Sequence, residues 1–184
     1  FRNYGVPHHR ERLITIGCRI PQIVSNWPQV ADVLCSGSSP FHPLPTHGEG
    51  TNQDWITLRD TIGHLPPLDS KINWKDVDDP FHCVPKWNDN QYFWMKNTSE
   101  GQTAFDNSYC VDCGTMKTSP QQVLCIDCKN PLPVPQMKKS GKARLIKGFR
   151  SSYRRMRWDR PAGTLTMNSG VISSDLKGHP EQNR

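Results

Sequence analysis

The run Cys110-Val111-Asp112-Cys113-Gly114-Thr115 and, after Leu124, the run Cys125-Ile126-Asp127-Cys128-Lys129-Asn130 decide how this chain reads. They form two Cys-x2-Cys pairs with eleven residues between them. Each pair can aim two thiolates at one ion, and two pairs complete a closed tetrahedral zinc site. The gap is shorter than the about fifteen to twenty residues common between such pairs, so the intervening hairpin has to be tight. Asp112-Cys113-Gly114 and Asp127-Cys128-Lys129 repeat one pattern, as the two halves of a zinc ribbon do. The competing readings are two disulfides or four unrelated thiols. An odd total of seven cysteines, the others being Cys18, Cys35 and Cys83, weighs against a disulfide framework. Four cysteine ligands leave no open coordination position, so zinc held by Cys110, Cys113, Cys125 and Cys128 is structural rather than catalytic. Cys18, Cys35 and Cys83 read as buried or unpaired thiols.

Around this ribbon the chain has a modest core. Of its 184 residues 34% are hydrophobic, below the about 45–50% apolar share of ordinary globular domains. Sixteen prolines and 13 glycines predict many loops, while six tryptophans argue against a disordered tail. No apolar run approaches the ~20 residues that a membrane span needs. The chain opens Phe1-Arg2-Asn3-Tyr4, with neither a methionine nor a signal pattern, and it reads as a fragment.

The net charge is +6, and it is concentrated. Lys138, Lys139, Lys142, Arg144, Lys147, Arg150, Arg154, Arg155, Arg157 and Arg160 are 10 of the 23 basic residues and are opposed only by Asp159. A solvated face is the bland explanation. Clustering this dense favours a track for phosphates.

Local patterns predict a buried strand over residues 13–20 and a short amphipathic helix over 21–34, with Val24, Trp27, Val30 and Val33 on one side. A loop follows. Residues 55–67 predict a helix with Thr57 as N-cap, Asp60 three residues later as an imperfect capping box, and Gly63 with Pro66 as its stop. Residues 70–107 read as irregular. The fold class is loop-rich α+β.

Four segments, in order, resemble one family. Tyr4-Gly5-Val6-Pro7-His8-His9-Arg10-Glu11-Arg12 resembles the eighth motif of DNA cytosine-5 methyltransferases, with His8 where the family usually has glutamine. Thr57-Leu58-Arg59-Asp60-Thr61-Ile62-Gly63-His64-Leu65-Pro66 resembles a connector helix of bacterial members. Arg157-Trp158-Asp159-Arg160-Pro161-Ala162-Gly163-Thr164-Leu165-Thr166 resembles the ninth motif. His179-Pro180-Glu181-Gln182-Asn183-Arg184 resembles the segment that leads to the last motif.

The resemblance implies an organisation. Residues 1–34 end a Rossmann-like catalytic domain, and 35–69 connect. Residues 70–156 form a small target-recognition domain with the zinc ribbon at 108–131, and 157–184 return towards the catalytic domain. It also implies chemistry: transfer of methyl from S-adenosylmethionine to C5 of a flipped cytosine in double-stranded DNA. Arg12 would hydrogen-bond the flipped base at O2, with Arg10 beside it. Lys147, Arg150, Arg154, Arg155 and Arg157 would meet phosphates. Arg160, Pro161 and Thr164 would support the recognition domain. Gln102, Asn107, Lys117 and Gln122 are chemically able to read bases.

The implied setting is the bacterial cytoplasm, at the nucleoid, within restriction–modification. The implied partner is the catalytic half that this sequence lacks. None of the prolines precedes a cysteine, so the family's nucleophile is not here. Gly48-Glu49-Gly50 reads as a turn, not a donor-binding loop. By this reading S-adenosylmethionine binds elsewhere, and these residues alone do not methylate DNA. Two rivals stay open: a free-standing zinc-ribbon nucleic-acid-binding module, and the recognition subunit of a split methyltransferase.

Overall fold

The computed structural model describes residues 1–10, 19, 21, 44–148, 151–164 and 177–184. The strand expected at 13–20 and the helix expected at 21–34 therefore lie outside the described residues, single positions apart. So do Arg12 and Arg150. What is described is small, loop-rich and α+β, with short helices and shorter strands.

Helix α1 (Leu58–Ile62) starts as its sequence dictates. Thr57 accepts from the Asp60 N–H at 3.3 Å, and the Asp60 carboxylate accepts from the Thr57 N–H at 2.8 Å. These reciprocal bonds satisfy two amides that the first turn leaves open. The Thr57 hydroxyl, and then its N–H, hold the Asp60 carboxyl below its usual range. Gly48-Glu49-Gly50 is a turn, in which Gly48 has φ 100 and lies hard against Trp55.

Residues 70–107 are less irregular than expected. Helix α2 (Asp89–Lys96) is closed at its start by a second capping box, Asn88 with Gln91. It forms because that box coincides with a buried pair, Trp94 and Met95, which pack with Trp87 and Ala104. Tyr153 meets Trp94 edge-on, with ring centroids 5.4 Å apart.

Three two-stranded pairings occur among the described residues. β2 (Gln136–Lys139) and β3 (Lys142–Leu145) form an antiparallel hairpin. β1 (His8–His9) pairs in parallel with β5 (Ala162–Gly163), and β4 (Arg154–Arg155) with β6 (Lys177–Gly178). No helix among the described residues is long and apolar enough to cross a membrane.

Arg155 closes the structure over α2, and this corrects one expectation. The side chain is 3% exposed and does not present its guanidinium to a phosphate. It donates to the carbonyls of Met95 (2.8 Å), Thr98 (2.7 Å), His179 (2.8 Å) and Gln182, and to Asn183 Oδ1 (2.7 Å). The planar five-donor fork of arginine suits such a cage of acceptors. Burial lowers its pKa to about 10, so the group stays charged at neutral pH. Sequence alone cannot separate one buried arginine from its neighbours in a basic run.

His179 is buried beside it. Its Nδ1 accepts from the N–H groups of Glu181 and Gln182, and its ring meets Trp158 edge-on at 4.8 Å. Burial, with the nearby Arg184 and Arg155 charges, lowers its pKa to about 3. An unfolded imidazole titrates near 6.5, so between these values the unfolded chain holds the extra proton. This contribution is complete above about pH 6.5 and is lost as pH falls towards 3, at up to ~1.4 kcal/mol per unit. His179→Gln should flatten the fall of the thermal midpoint between pH 7.5 and 5 relative to wild type. Parallel pH curves for the two proteins would remove His179 from this role.

Candidate metal centre

The four ribbon cysteines converge. One sulfur from each lies within 4.8 Å of all the others. Sγ–Sγ distances are 3.5 Å for Cys110–Cys128, 3.5 Å for Cys113–Cys125 and 3.6 Å for Cys113–Cys128. A tetrahedral zinc with Zn–S bonds of ~2.3 Å sets sulfurs ~3.8 Å apart, so this donor set fits the ion. Cys110 and Cys125 are each 2% exposed, in a cluster with Val123, Leu132 and Val134, while Cys113 faces solvent.

The two knuckles share one backbone pattern. Cys110 N–H donates to Thr115 O at 2.9 Å, and Cys125 N–H donates to Asn130 O at 2.8 Å. The residue after each second cysteine is left-handed, Gly114 at φ 75 and Lys129 at φ 61. Each knuckle also ties down the other: Thr115 Oγ1 donates to Asp127, and Asn130 Nδ2 donates to Asp112 at 2.9 Å. The cysteine spacing alone does not give Thr115 and Asn130 this role. Their signal was there, since both stand five residues after the first cysteine of their knuckle.

Four sulfurs this close cannot all ionise unaided. Cys113 is pulled down to about 6, first by the Thr115 hydroxyl and then by the Thr115 N–H. Cys128, although the Asn130 N–H pulls it down, is pushed up to about 12 by burial and the neighbouring sulfurs. A divalent cation removes that conflict by taking all four as thiolates.

The basic residues divide. Lys138, Lys139, Lys142, Arg144 and Lys147 are exposed. Arg154 is exposed, but its guanidinium holds Gly101 O at 2.9 Å and 3.1 Å. Arg157 is exposed and forked onto Asp159 at 2.8 Å and 2.6 Å. Among the four base-reading candidates, Asn107 spends its amide on Trp94 O, Thr98 and Pro133 O. Gln122 spends its amide on Thr118 and Leu124 O, and Lys117 reaches Phe105 O. Gln102 is exposed.

The described parts of the four motif-like segments meet one another. Leu58, Trp158 and Ala162 form one buried cluster. Leu58 N–H donates to Arg160 O, and Arg59 N–H to Trp158 O. Ala162 N–H donates to Pro7 O, and Thr164 Oγ1 to His9 O at 3.2 Å. His179 stacks edge-on against Trp158. His8 Nε2 lies 2.8 Å from Gly163 O. An imidazole N–H can donate to that carbonyl. Arg10 is half-buried at the end of this arrangement.

Comparison with known proteins gives two relatives. The chain is 28% identical over 128 residues to the Type II methyltransferase M1.HgaI of Avibacterium volantium, covering 70% of this chain and 28% of that protein. It is 25% identical over 182 residues to the Type II methylase M.HgiDII of Herpetosiphon aurantiacus, covering 99% of this chain and 38% of that protein. The chain thus spans well under half the length of either relative. No family model and no solved structure matches it.

Proposed function

We propose that these residues are the target-recognition part of a DNA cytosine-5 methyltransferase of the restriction–modification type. The observation that carries this reading is the meeting of four sequence-distant segments around Trp158. Residues 4–12, 57–66, 157–166 and 179–184 resemble four ordered motifs of one family, and their described parts also touch. The similarity to two Type II methylases supports it.

In this reading Arg12, with Arg10 beside it, serves the flipped cytosine. A cysteine thiolate from another part of the protein adds at C6 of the base. Charge then builds at O2, where a fixed guanidinium stabilises it more in the transition state than in the ground state. S-adenosylmethionine binds in that same other part. Lys147, Arg150, Arg154 and Arg157 meet phosphates of double-stranded DNA. Arg160, Pro161 and Thr164 hold the two parts in register, through the Leu58–Arg160 and Thr164–His9 contacts. Zinc on Cys110, Cys113, Cys125 and Cys128 supplies structure only, and Thr115 and Asn130 orient the thiolates.

The test is transfer of labelled methyl from S-adenosylmethionine to duplex DNA by the complete protein. Wild type should transfer. Arg12→Ala should lower turnover at saturating DNA by ~10²–10³-fold, the loss typical for a transition-state donor, while DNA affinity stays within about threefold. Unchanged turnover would take Arg12 out of the chemistry, and no transfer by wild type would sink the reading.

A further inference from the structure

We propose that the β2–β3 hairpin is the element that enters the major groove of duplex DNA, with Lys139, Lys142 and Arg144 on the face that meets it. This rests on the DNA-recognition reading above and names the surface that carries it out.

The hairpin has two unlike faces. Gln136 pairs with Leu145 and Lys138 with Ala143, and Ala143 and Leu145 pack onto the ribbon cluster. Met137 pairs with Arg144 and Lys139 with Lys142, which places these four on the opposite face, all exposed. The base of the hairpin is fixed to the ribbon. Gln136 Nε2 donates to Leu132 O at 2.8 Å and to Val123 O at 3.2 Å, and Ile146 N–H donates to Pro135 O. The tip is a tight two-residue turn, Ser140-Gly141, with φ 52 and 76. The tip therefore projects from a base that hydrogen bonds fix to the ribbon.

Charge selects the partner. Lys139 stands directly opposite Lys142, a pairing that costs stability within a sheet. No acidic residue occurs between Asp127 and Asp159 to relieve it. The side chains of Lys139, Lys142 and Arg144 make no ion pair or hydrogen bond with another described residue. A polyanion supplies what the fold withholds. Shape selects among polyanions. Two strands ~4.8 Å apart, with their side chains, fit a B-form major groove ~12 Å wide. The deep, narrow major groove of an A-form RNA duplex excludes them. Within the face, Arg144 sits on the strand at the anchored end. It has the fork that suits a guanine edge, whereas Lys139 and Lys142 at the tip act as point charges on phosphates.

The test compares wild type, Lys139→Ala/Lys142→Ala and Arg144→Gln, each confirmed by its zinc content and thermal midpoint. They are titrated with a random-sequence DNA duplex, an RNA duplex of equal length, and DNA recovered by selection. The double variant should bind random DNA at least tenfold more weakly at 0.1 M salt, and its log-affinity against log-salt slope should fall by about two. Arg144→Gln should keep more of the affinity for random DNA and lose the preference for selected DNA. If wild type binds DNA and the double variant binds it equally well, the hairpin assignment fails while DNA recognition stands. If wild type binds the RNA duplex as tightly, groove entry is wrong. If wild type binds no DNA, both readings fall.

Discussion

Cys125→Ser is expected to empty the metal site and unfold the ribbon together with the hairpin it supports. Wild type should carry about one zinc per chain, and the variant well under a tenth of that. The expectation is large because the ribbon has little else. Among the described residues its buried cluster holds Val123, Leu132 and Val134 besides Cys110 and Cys125, with Pro133 and Pro135 buried in the same segment. Structural zinc contributes ~10–16 kcal/mol of apparent binding free energy in small fingers at neutral pH, far more than the ~2–3 kcal/mol of burying one aliphatic side chain. Metal loss should therefore appear as a drop in thermal midpoint, as protease cleavage within residues 108–145, and as loss of whatever DNA affinity the hairpin supplies. A chelator should reproduce it in wild type. A variant that folds normally without zinc would return the four thiols to ordinary packing.

Arg155→Ala should be nearly as damaging, and for a different reason. The substitution leaves the carbonyls of Met95, Thr98, His179 and Gln182 facing a void where a charge had satisfied them. Each unsatisfied buried acceptor costs ~1–3 kcal/mol, and breaking a buried charged network costs ~3–5 kcal/mol overall. That is a large share of the ~5–15 kcal/mol that holds a domain folded. Arg155→Lys should rescue little, since an ammonium cannot span acceptors on both α2 and the C-terminal residues. The readout is urea denaturation. A midpoint within error of wild type, with weaker DNA binding, would mean that Arg155 serves phosphates after all.

These two cases mark what the sequence disclosed. Cysteine spacing is a local code, and a four-sulfur site was legible down to its ligands because knuckle geometry involves neighbours in the chain. The Thr57 capping box was legible for the same reason. Asn88 with Gln91 is an equally local signal, but it lies among aromatic residues without clear periodicity, which hides α2 in the sequence. Arg155 was illegible. Its role comes from carbonyls 24 to 60 residues away, and nothing in Tyr153-Arg154-Arg155-Met156 distinguishes the buried arginine from the exposed one. No local rule foretells the pairing of His8–His9 with Ala162–Gly163, which lie far apart in the chain.

The most direct measurement is of the methylated base itself. DNA treated with S-adenosylmethionine and the complete protein carrying these residues is digested to nucleosides and resolved by mass spectrometry. The expected product is 5-methylcytosine, confined to one short sequence when the same DNA is mapped. Methyl found on the exocyclic nitrogen of cytosine or adenine would contradict the account, because neither reaction calls for a base-addition step or for Arg12 at cytosine O2.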